Sequence, residues 1–209
     1  MKKDLEAELN SWDLQNCEER HIKLEREWVR YPYIIKKLGL KNLLYLKEKE
    51  VLDIGSGPMG GLLQFLPCKK KISLDPLNDE YLKLFPEFYN PNIEYITGKG
   101  ENIPLEDKSV SLVTCTNAID HTENPQQVIK EIKRVLKPSG YLAVLFCINL
   151  SKIHPHPAHT ISIDKSMFLE WVNTDFETIK CQVVKYGWIN FQGKCGQPAI
   201  YYLGRLTKE

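Results

Sequence analysis

Residues Val51–Gly61 read VLDIGSGPMGG, an apolar run that passes directly into a turn rich in glycine. Because Gly55, Gly57 and Gly60 carry no Cβ, a ligand can approach the backbone of this turn and meet the N–H groups where the next helix begins. A strand that ends in such a turn is typical of sites for adenosine-containing cofactors. The stretch therefore predicts the start of a nucleotide-binding β-α-β unit.

Short apolar runs recur along the chain, separated by segments with helical periodicity or turn residues. They are EVLDI (50–54), KISLD (71–75), IEYIT (93–97), SVSLVTCT (109–116) and YLAVLF (141–146). This alternation predicts β-α-β units and a parallel sheet. Two last runs, TIKCQVVKYG (178–187) and AIYYLGRL (199–206), are joined by a segment too short for a crossover helix, so we expect them to pair antiparallel.

Helices are expected before, within and after this series of strands. The clearest is PQQVIKEIKRVLKPSG (125–140), where Asn124 can cap the N-terminus and Pro138–Gly140 should end the helix. Another is expected over about 164–172. Residues 1–45 carry apolar positions at helical spacing, which predicts a helical N-terminal cap or lid on one further structural unit, 46–209.

Composition limits the kinds of partner. The 209 residues include 28 Lys+Arg and 27 Asp+Glu, so the net charge of +1 provides no global attraction to nucleic acid or to an anionic membrane. The lysine runs at 69–71 and 36–37 are interpreted as solvated faces rather than as an RNA site. Scattered cysteines and a charged N-terminus predict a cytoplasmic protein. The oligomeric state stays open between a monomer and a homodimer.

Two acidic residues stand at strand ends near the glycine turn. Asp75 ends the second apolar run, twenty residues after Gly55, where a carboxylate can accept hydrogen bonds from both ribose hydroxyls. Asp53 lies two residues before Gly55, where dinucleotide-binding proteins usually have an apolar residue. A pyrophosphate would be repelled there, so Asp53 either meets a cationic ligand or bonds the turn amides.

In these features the sequence resembles the class I S-adenosylmethionine-dependent methyltransferases, in particular the broad group that acts on small molecules. VLDIGSGPMGG resembles their first motif, GKGENIPLEDKSVSLVTCTNAIDH their adenine loop and fourth strand, and KEIKRVLKPSGYLAVLF the helix and strand that follow. The resemblance implies a Rossmann-like, doubly wound α/β sheet of seven strands, mostly parallel, with a C-terminal antiparallel hairpin. It covers about residues 50–147.

The resemblance also implies a set of cofactor contacts. Asp75, followed by Pro76, would bind the ribose. Gly100, Glu101, Asn102 and Ile103 would surround the adenine, Asn117 and Ala118 would lie beside the methionine moiety, and Ser56 would join the glycine turn. The family usually transfers the methyl group of S-adenosylmethionine by in-line displacement and releases S-adenosylhomocysteine. The protein supplies alignment, with a general base where the acceptor must lose a proton.

Asp120 and His121 are the catalytic candidates, since they follow the fourth strand at the edge where open α/β sheets bind ligands. His121 can take a proton near neutral pH, and Asp120 can orient it or hold the cofactor amine. The alternative is that His121 only shapes the turn before the Asn124 cap.

Three histidines, His154, His156 and His159, follow the fifth strand in IHPHPAHT. His156 is taken as a further catalytic candidate for substrate contact or proton transfer. The prolines do not set up a tetrahedral site and no HExxH or cysteine partner accompanies them, so we expect no metal. An ordered loop without a direct role stays open as an alternative.

The predicted cap carries aromatic residues beside arginines in EREWVRYPYIIKK (25–37). Related methyltransferases fold an N-terminal helical segment over the cofactor, and Trp28 or Tyr31 could meet the sulfonium by cation–π attraction. The other interpretation is that these side chains pack the helix onto the sheet.

The sequence therefore predicts methyl transfer from S-adenosylmethionine to a small-molecule acceptor. Other chemistry on the same cofactor, such as cyclisation or transfer of a group other than methyl, remains an alternative. A cofactor-binding protein without turnover is another. A nicotinamide oxidoreductase is disfavoured by Asp53 and by the terminal hairpin.

Overall fold

The computed structural model describes residues 5–6, 9–10, 17–40, 44–148, 161–184 and 198–207. Seven strands form one sheet. They are β1 (Glu50–Ile54), β2 (Lys70–Asp75), β3 (Ile93–Thr97), β4 (Val110–Thr116), β5 (Leu136–Cys147), β6 (Phe176–Val184) and β7 (Ala199–Leu206). Their order across the sheet is β3-β2-β1-β4-β5-β7-β6.

Among the described residues, four α-helices of seven or more residues flank this sheet: α1 (Cys17–Leu38), α2 (Asn78–Leu84), α3 (Pro125–Val135) and α4 (Lys165–Val172). The predicted Asn124 cap forms, because its side chain accepts a hydrogen bond from the amide of Gln127. Asp164 caps α4 in the same way, by accepting a hydrogen bond from the amide of Met167. No helix in the described part of the chain is both long and apolar enough to cross a membrane.

Strands β1 to β5 pair in parallel, and the core lies on both faces of the sheet. Successive side chains of β1 point to opposite faces, so Leu52 packs with the side chains of α3 and Val51 packs with those of α1. All seven residues of β4 are buried, including the polar Ser111, Thr114 and Thr116.

The last two strands pair antiparallel, and β7 also runs antiparallel to β5, from Tyr141 opposite Arg205 to Cys147 opposite Ala199. The mostly parallel seven-stranded sheet with a C-terminal antiparallel hairpin is thereby confirmed. Phe168 of α4 packs edge-on against Phe146 and Tyr202, which fixes that helix to the sheet.

Two local expectations were wrong. The glycine turn leads into a four-residue 3-10 helix at 61–64 rather than an α-helix, because Gly60 and Gly61 both have positive φ. Strand β5 begins at Leu136, before the proline expected to end α3, since Leu136 already pairs with Val110 ahead of a register break. The β3–β4 connection contains no helix and runs irregularly along α3.

Candidate functional site

The carboxyl ends of the parallel strands bring several predicted residues to one edge of the sheet. Gly55 follows β1 and donates its amide hydrogen to the carbonyl of Leu74 in β2 (2.8 Å). Asn117 follows β4, has φ of 53° and donates its amide hydrogen to the carbonyl of Leu145 in β5 (2.7 Å). A non-glycine residue with this backbone conformation costs energy and is often found at functional sites.

Asp75 joins the glycine turn to the end of β2. Its side chain is only 6% exposed, and its two oxygens accept hydrogen bonds from the amides of Gly57 (3.0 Å) and Leu77 (2.9 Å). A carboxylate has about four acceptor positions, and its oxygens can therefore accept from ribose hydroxyls as well as from backbone amides. The Asp75 carboxylate therefore fits the sugar of an adenosine cofactor. Pro76 lies half-buried between the two bonded segments.

A buried polar network lies beneath this carboxylate and was not anticipated from the sequence. The hydroxyls of Ser56 and Ser73 share a hydrogen bond, and the Asn78 amide donates to the carbonyl oxygens of Ser73 (3.2 Å) and Ile96 (2.8 Å). Ser73 and Asn78 are almost fully buried. The signal available was a lone serine within an apolar strand, which requires a partner inside the fold.

Asp53 lies under the glycine turn and is fully buried. One carboxylate oxygen accepts a hydrogen bond from the Thr114 hydroxyl (2.6 Å), and the other would lie 2.2 Å from a Cβ placed on Gly61. Burial raises the pKa of Asp53 to about 7, although the Thr114 hydroxyl and the Leu62 amide act in the opposite direction. This position favours the interpretation that Asp53 fixes the turn.

The predicted adenine segment follows β3. Gly100 is packed so closely that an added Cβ would lie 3.1 Å from Ile54 Cγ2 and 3.2 Å from Val128 Cγ1. Glu101 Oε1 accepts hydrogen bonds from the amides of Glu123 (2.7 Å) and Asn124 (3.2 Å). Asn102 is exposed at the surface. The Glu101 carboxylate therefore binds the start of α3, whether or not it also contacts a ligand.

The catalytic candidates lie in a short 3-10 helix, residues Ile119–His121, just after β4. Asp120 is 2% exposed, whereas His121 is partly exposed. The backbone amide of Ile161 approaches the Asp120 carbonyl at 3.5 Å, so the chain that follows β5 returns beside these two residues. Ala118 adjoins both this helix and the glycine turn.

The predicted histidine loop cannot be compared with this geometry. His154, His156 and His159 lie outside the described residues. Across the residues that the structure does describe, no group of three or more His, Cys, Asp or Glu side chains could hold a metal ion.

Helix α1 packs over the segment that follows the glycine turn. The rings of Trp28 and Phe65 meet edge-on with centroids 4.8 Å apart, and the Tyr31 ring lies 5.9 Å from the same phenylalanine. Tyr31 is 5% exposed and belongs to the core, whereas Trp28 is 48% exposed. The packing role expected for this helix is thus present, and Trp28 keeps a face open to solvent.

With this geometry established, comparison with known proteins becomes informative. Residues 52–144 match the family described as "Methyltransferase domain". This match and the fold support a class I S-adenosylmethionine-dependent methyltransferase domain over that part of the chain. This family and its fold imply binding of S-adenosylmethionine.

The curated relatives of this chain have several named activities. The chain is 33% identical over 106 residues to demethylmenaquinone methyltransferase of Chlorobaculum tepidum, which covers 50% of this chain and 43% of that protein. It is 31% identical over 130 residues to ubiquinone biosynthesis O-methyltransferase of Rickettsia akari. That alignment covers 59% of this chain and 50% of the relative. The chain therefore spans about half the length of these curated relatives.

The fold of this chain is shared over most of its length with solved structures. An S-adenosylmethionine-dependent methyltransferase of Thermotoga maritima superimposes with a TM-score of 0.64 at 18% identity, covering 91% of this chain and 98% of that one. At this level of identity the likeness establishes the fold alone.

A cleft of about 670 Å³ lies elsewhere on the methyltransferase domain. Its lining includes Lys108, which precedes β4, Pro138 near the start of β5, and Trp171 of α4. These positions belong to the amino edge of the parallel strands, opposite the glycine turn. The cleft is therefore separate from the candidate cofactor site.

Proposed function

We propose that this protein transfers the methyl group of S-adenosylmethionine to a small-molecule acceptor in the cytoplasm. The observation that carries the proposal is the bonding of Asp75, whose carboxylate ties the glycine turn to the end of β2 through Gly57 N (3.0 Å), where nucleotide-binding units have their ribose-binding acid. The quinone-related activities of the relatives named above support a hydroxylated or quinone-derived ring as the class of acceptor.

In this proposal each part of the edge has one task. Asp75 binds the ribose hydroxyls, and the turn at 55–57 presents backbone N–H groups to the ligand without obstruction by a Cβ. The Gly100–Asn102 segment contacts the adenine, while Asn117 and Ala118 lie beside the methionine portion. When bound, the cofactor supplies a methyl carbon already activated by its sulfonium, and in-line attack by the acceptor breaks the carbon–sulfur bond.

His121 takes the proton of an acceptor that must lose one, and Asp120 orients that histidine or holds the cofactor amine. His156 is proposed as a second substrate-contacting histidine. The rest of the rate enhancement comes from holding the acceptor in line with the methyl carbon. None of these proposed roles requires a metal ion.

Helix α1 and the preceding residues are proposed to form a lid over this edge, with residues 1–45 as the cap and 46–209 as the catalytic unit. The contact of Trp28 with Phe65, just beyond the glycine turn, supports this proposal. We expect S-adenosylhomocysteine to change the tryptophan fluorescence of the wild type, and Trp28→Phe to remove most of the change. An unaltered response in Trp28→Phe would argue against the lid.

The function is tested by calorimetric titration of the full chain with S-adenosylmethionine, S-adenosylhomocysteine and NAD. We expect the two sulfur compounds to bind, NAD not to bind, and Asp75→Ala to abolish binding. Asp79→Ala is the matched control, since that aspartate is exposed on the neighbouring helix. Product analysis with demethylated quinols and phenols then tests turnover. Binding of NAD alone would overturn the proposal, and cofactor cleavage without a methylated product would favour other chemistry.

A further inference from the structure

The connection from β3 to β4 lacks regular structure, yet it runs beside α3 from the ligand edge to the opposite edge of the sheet. Residues 98–109 contain neither helix nor strand. The backbone groups of such a segment, where they are shielded from water, need partners from elsewhere in the fold. At Ile103 and Leu105 these partners include two side chains of α3, those of Glu131 and Arg134.

Arg134 uses every N–H group of its guanidinium. Nε donates a hydrogen bond to Glu131 Oε1 (2.9 Å), and Nη2 donates one to Glu131 Oε2 (2.7 Å). The second Nη2 bond goes to the carbonyl of Ile103 (2.8 Å). The two Nη1 bonds go to the carbonyl of Leu105 (2.8 Å) and to Asp107 Oδ1 (2.7 Å). Five donors in a rigid plane are thus all satisfied.

Glu131 completes the arrangement from the other side. Its Oε2 accepts a hydrogen bond from the amide of Ile103 (2.9 Å), so both backbone polar groups of Ile103 are held by the same ion pair. The Glu131 side chain is 12% exposed and that of Arg134 is 31% exposed. The bonds to Arg134 lower the pKa of Glu131, which keeps the pair ionised at neutral pH.

The other end of the segment is held at the start of α3, where Glu101 accepts the amides of Glu123 and Asn124. Gly100 packs tightly between Ile54 and Val128, where a Cβ would lie 3.1 Å and 3.2 Å from their side chains. The residues proposed to contact adenine therefore lie between two anchors on one rigid helix. A binding loop held in place before the ligand arrives has less conformational freedom to lose on binding.

We propose that Arg134 and Glu131 are positioning residues that set adenine recognition through the backbone of Ile103, without touching the cofactor. The inference rests on the proposed function, because it assumes that the segment at 100–103 reads the adenine. It assigns a specificity role to a salt bridge in the C-terminal half of α3. A salt bridge at the surface would otherwise be expected to contribute little.

The test compares two ligands that differ only at N1 and at the 6-amine of the purine: S-adenosylhomocysteine and S-inosylhomocysteine. We expect the wild type to favour the adenosyl compound, and Arg134→Lys, which keeps the charge but loses the planar fork, to reduce that preference by about tenfold. Glu131→Gln is the second variant, since it loses the negative charge and one of two carboxylate oxygens. Lys133→Ala is the control, because Lys133 lies on the same helix and pairs only with Asp175 at the surface in the bonds observed here.

The ratio of the two dissociation constants separates positioning from stability. A purely structural role would lower the melting temperature or weaken both ligands equally, which leaves the ratio as in the wild type and overturns the inference. Failure of the wild type to bind S-adenosylhomocysteine would instead refute the proposed function. If Arg134→Lys does not fold, the ratio in Glu131→Gln decides: a retained preference overturns the inference and a reduced one supports it.

Discussion

Gly55 and Ala118 touch so closely that a Cβ placed on Gly55 would lie 2.2 Å from the Cβ of Ala118. The turn after β1 and the turn after β4 are thereby packed against each other at the ligand edge. Gly55 also has φ of 66°, a conformation that side chains of L-amino acids disfavour. Glycine at this position is required by both backbone conformation and space.

Gly55→Ala is therefore expected to lower the free energy of unfolding by about 2–5 kcal/mol, from backbone strain and overpacking together, and to abolish cofactor binding. Gly39→Ala is the control, since Gly39 has φ of 85° but the nearest atom to its Cβ is 3.8 Å away. That change should cost only the strain, about 1–2 kcal/mol. Equal losses in urea unfolding of the two variants would show that the contact with Ala118 is unimportant.

The buried Asp53 predicts a pH dependence of stability. Its pKa rises from the ordinary 3.8 to about 7 on folding, so between these values the unfolded chain has lost the proton that the folded chain retains. The stabilisation linked to this proton is complete below the unfolded pKa and is lost as the pH rises toward 7. The slope reaches at most about 1.4 kcal/mol per pH unit.

Asp53→Asn removes this titration and keeps an acceptor for the Thr114 hydroxyl. The unfolding free energy of Asp53→Asn should therefore increase relative to that of the wild type as the pH increases from 4 to 7. Urea unfolding at several pH values measures the difference, in which the other titrating groups largely cancel. Parallel curves for the two proteins would contradict the expectation.

The network at Asn78 predicts a loss of stability and of ribose-site geometry. Asn78→Ala leaves the carbonyl oxygens of Ser73 and Ile96 without their donor, which should cost about 1–3 kcal/mol. Because the same network reaches Ser56 in the glycine turn, affinity for S-adenosylhomocysteine should also fall. Asn92→Ala, at an exposed position, is expected to change neither quantity. An unchanged affinity in a destabilised Asn78→Ala protein would limit the network to folding.

His121 is expected to matter only for acceptors that must lose a proton. His121→Asn should lower kcat for such acceptors by about 10²–10⁴-fold and leave the dissociation constant of S-adenosylhomocysteine unchanged. An acceptor that reacts without proton loss serves as the internal control in the same kinetic assay. A uniform decrease for both kinds of acceptor would indicate that His121 shapes the turn before α3 instead.

Much of the fold could be predicted from the pattern of residues along the chain. Strand β1 and strand β7 were predicted with the bounds observed, because continuous apolar runs between turn residues leave little other choice for a buried strand. The antiparallel pairing of β6 and β7 followed from the length of their connection. Asn124 and Asp164 marked two helix starts because a cap acts on amides within its own turn.

The environment of the candidate site depended instead on contacts between distant parts of the chain. Asp53 and Asp75 both follow apolar runs, and only the fold shows that one is sealed under the glycine turn while the other reaches the ligand edge. The bond from Arg134 to Ile103 joins residues 31 apart in sequence, and neither position has a local pattern that predicts it. Local periodicity determines strands and caps because those interactions span a few residues. The burial and partners of a side chain arise only when the sheet assembles.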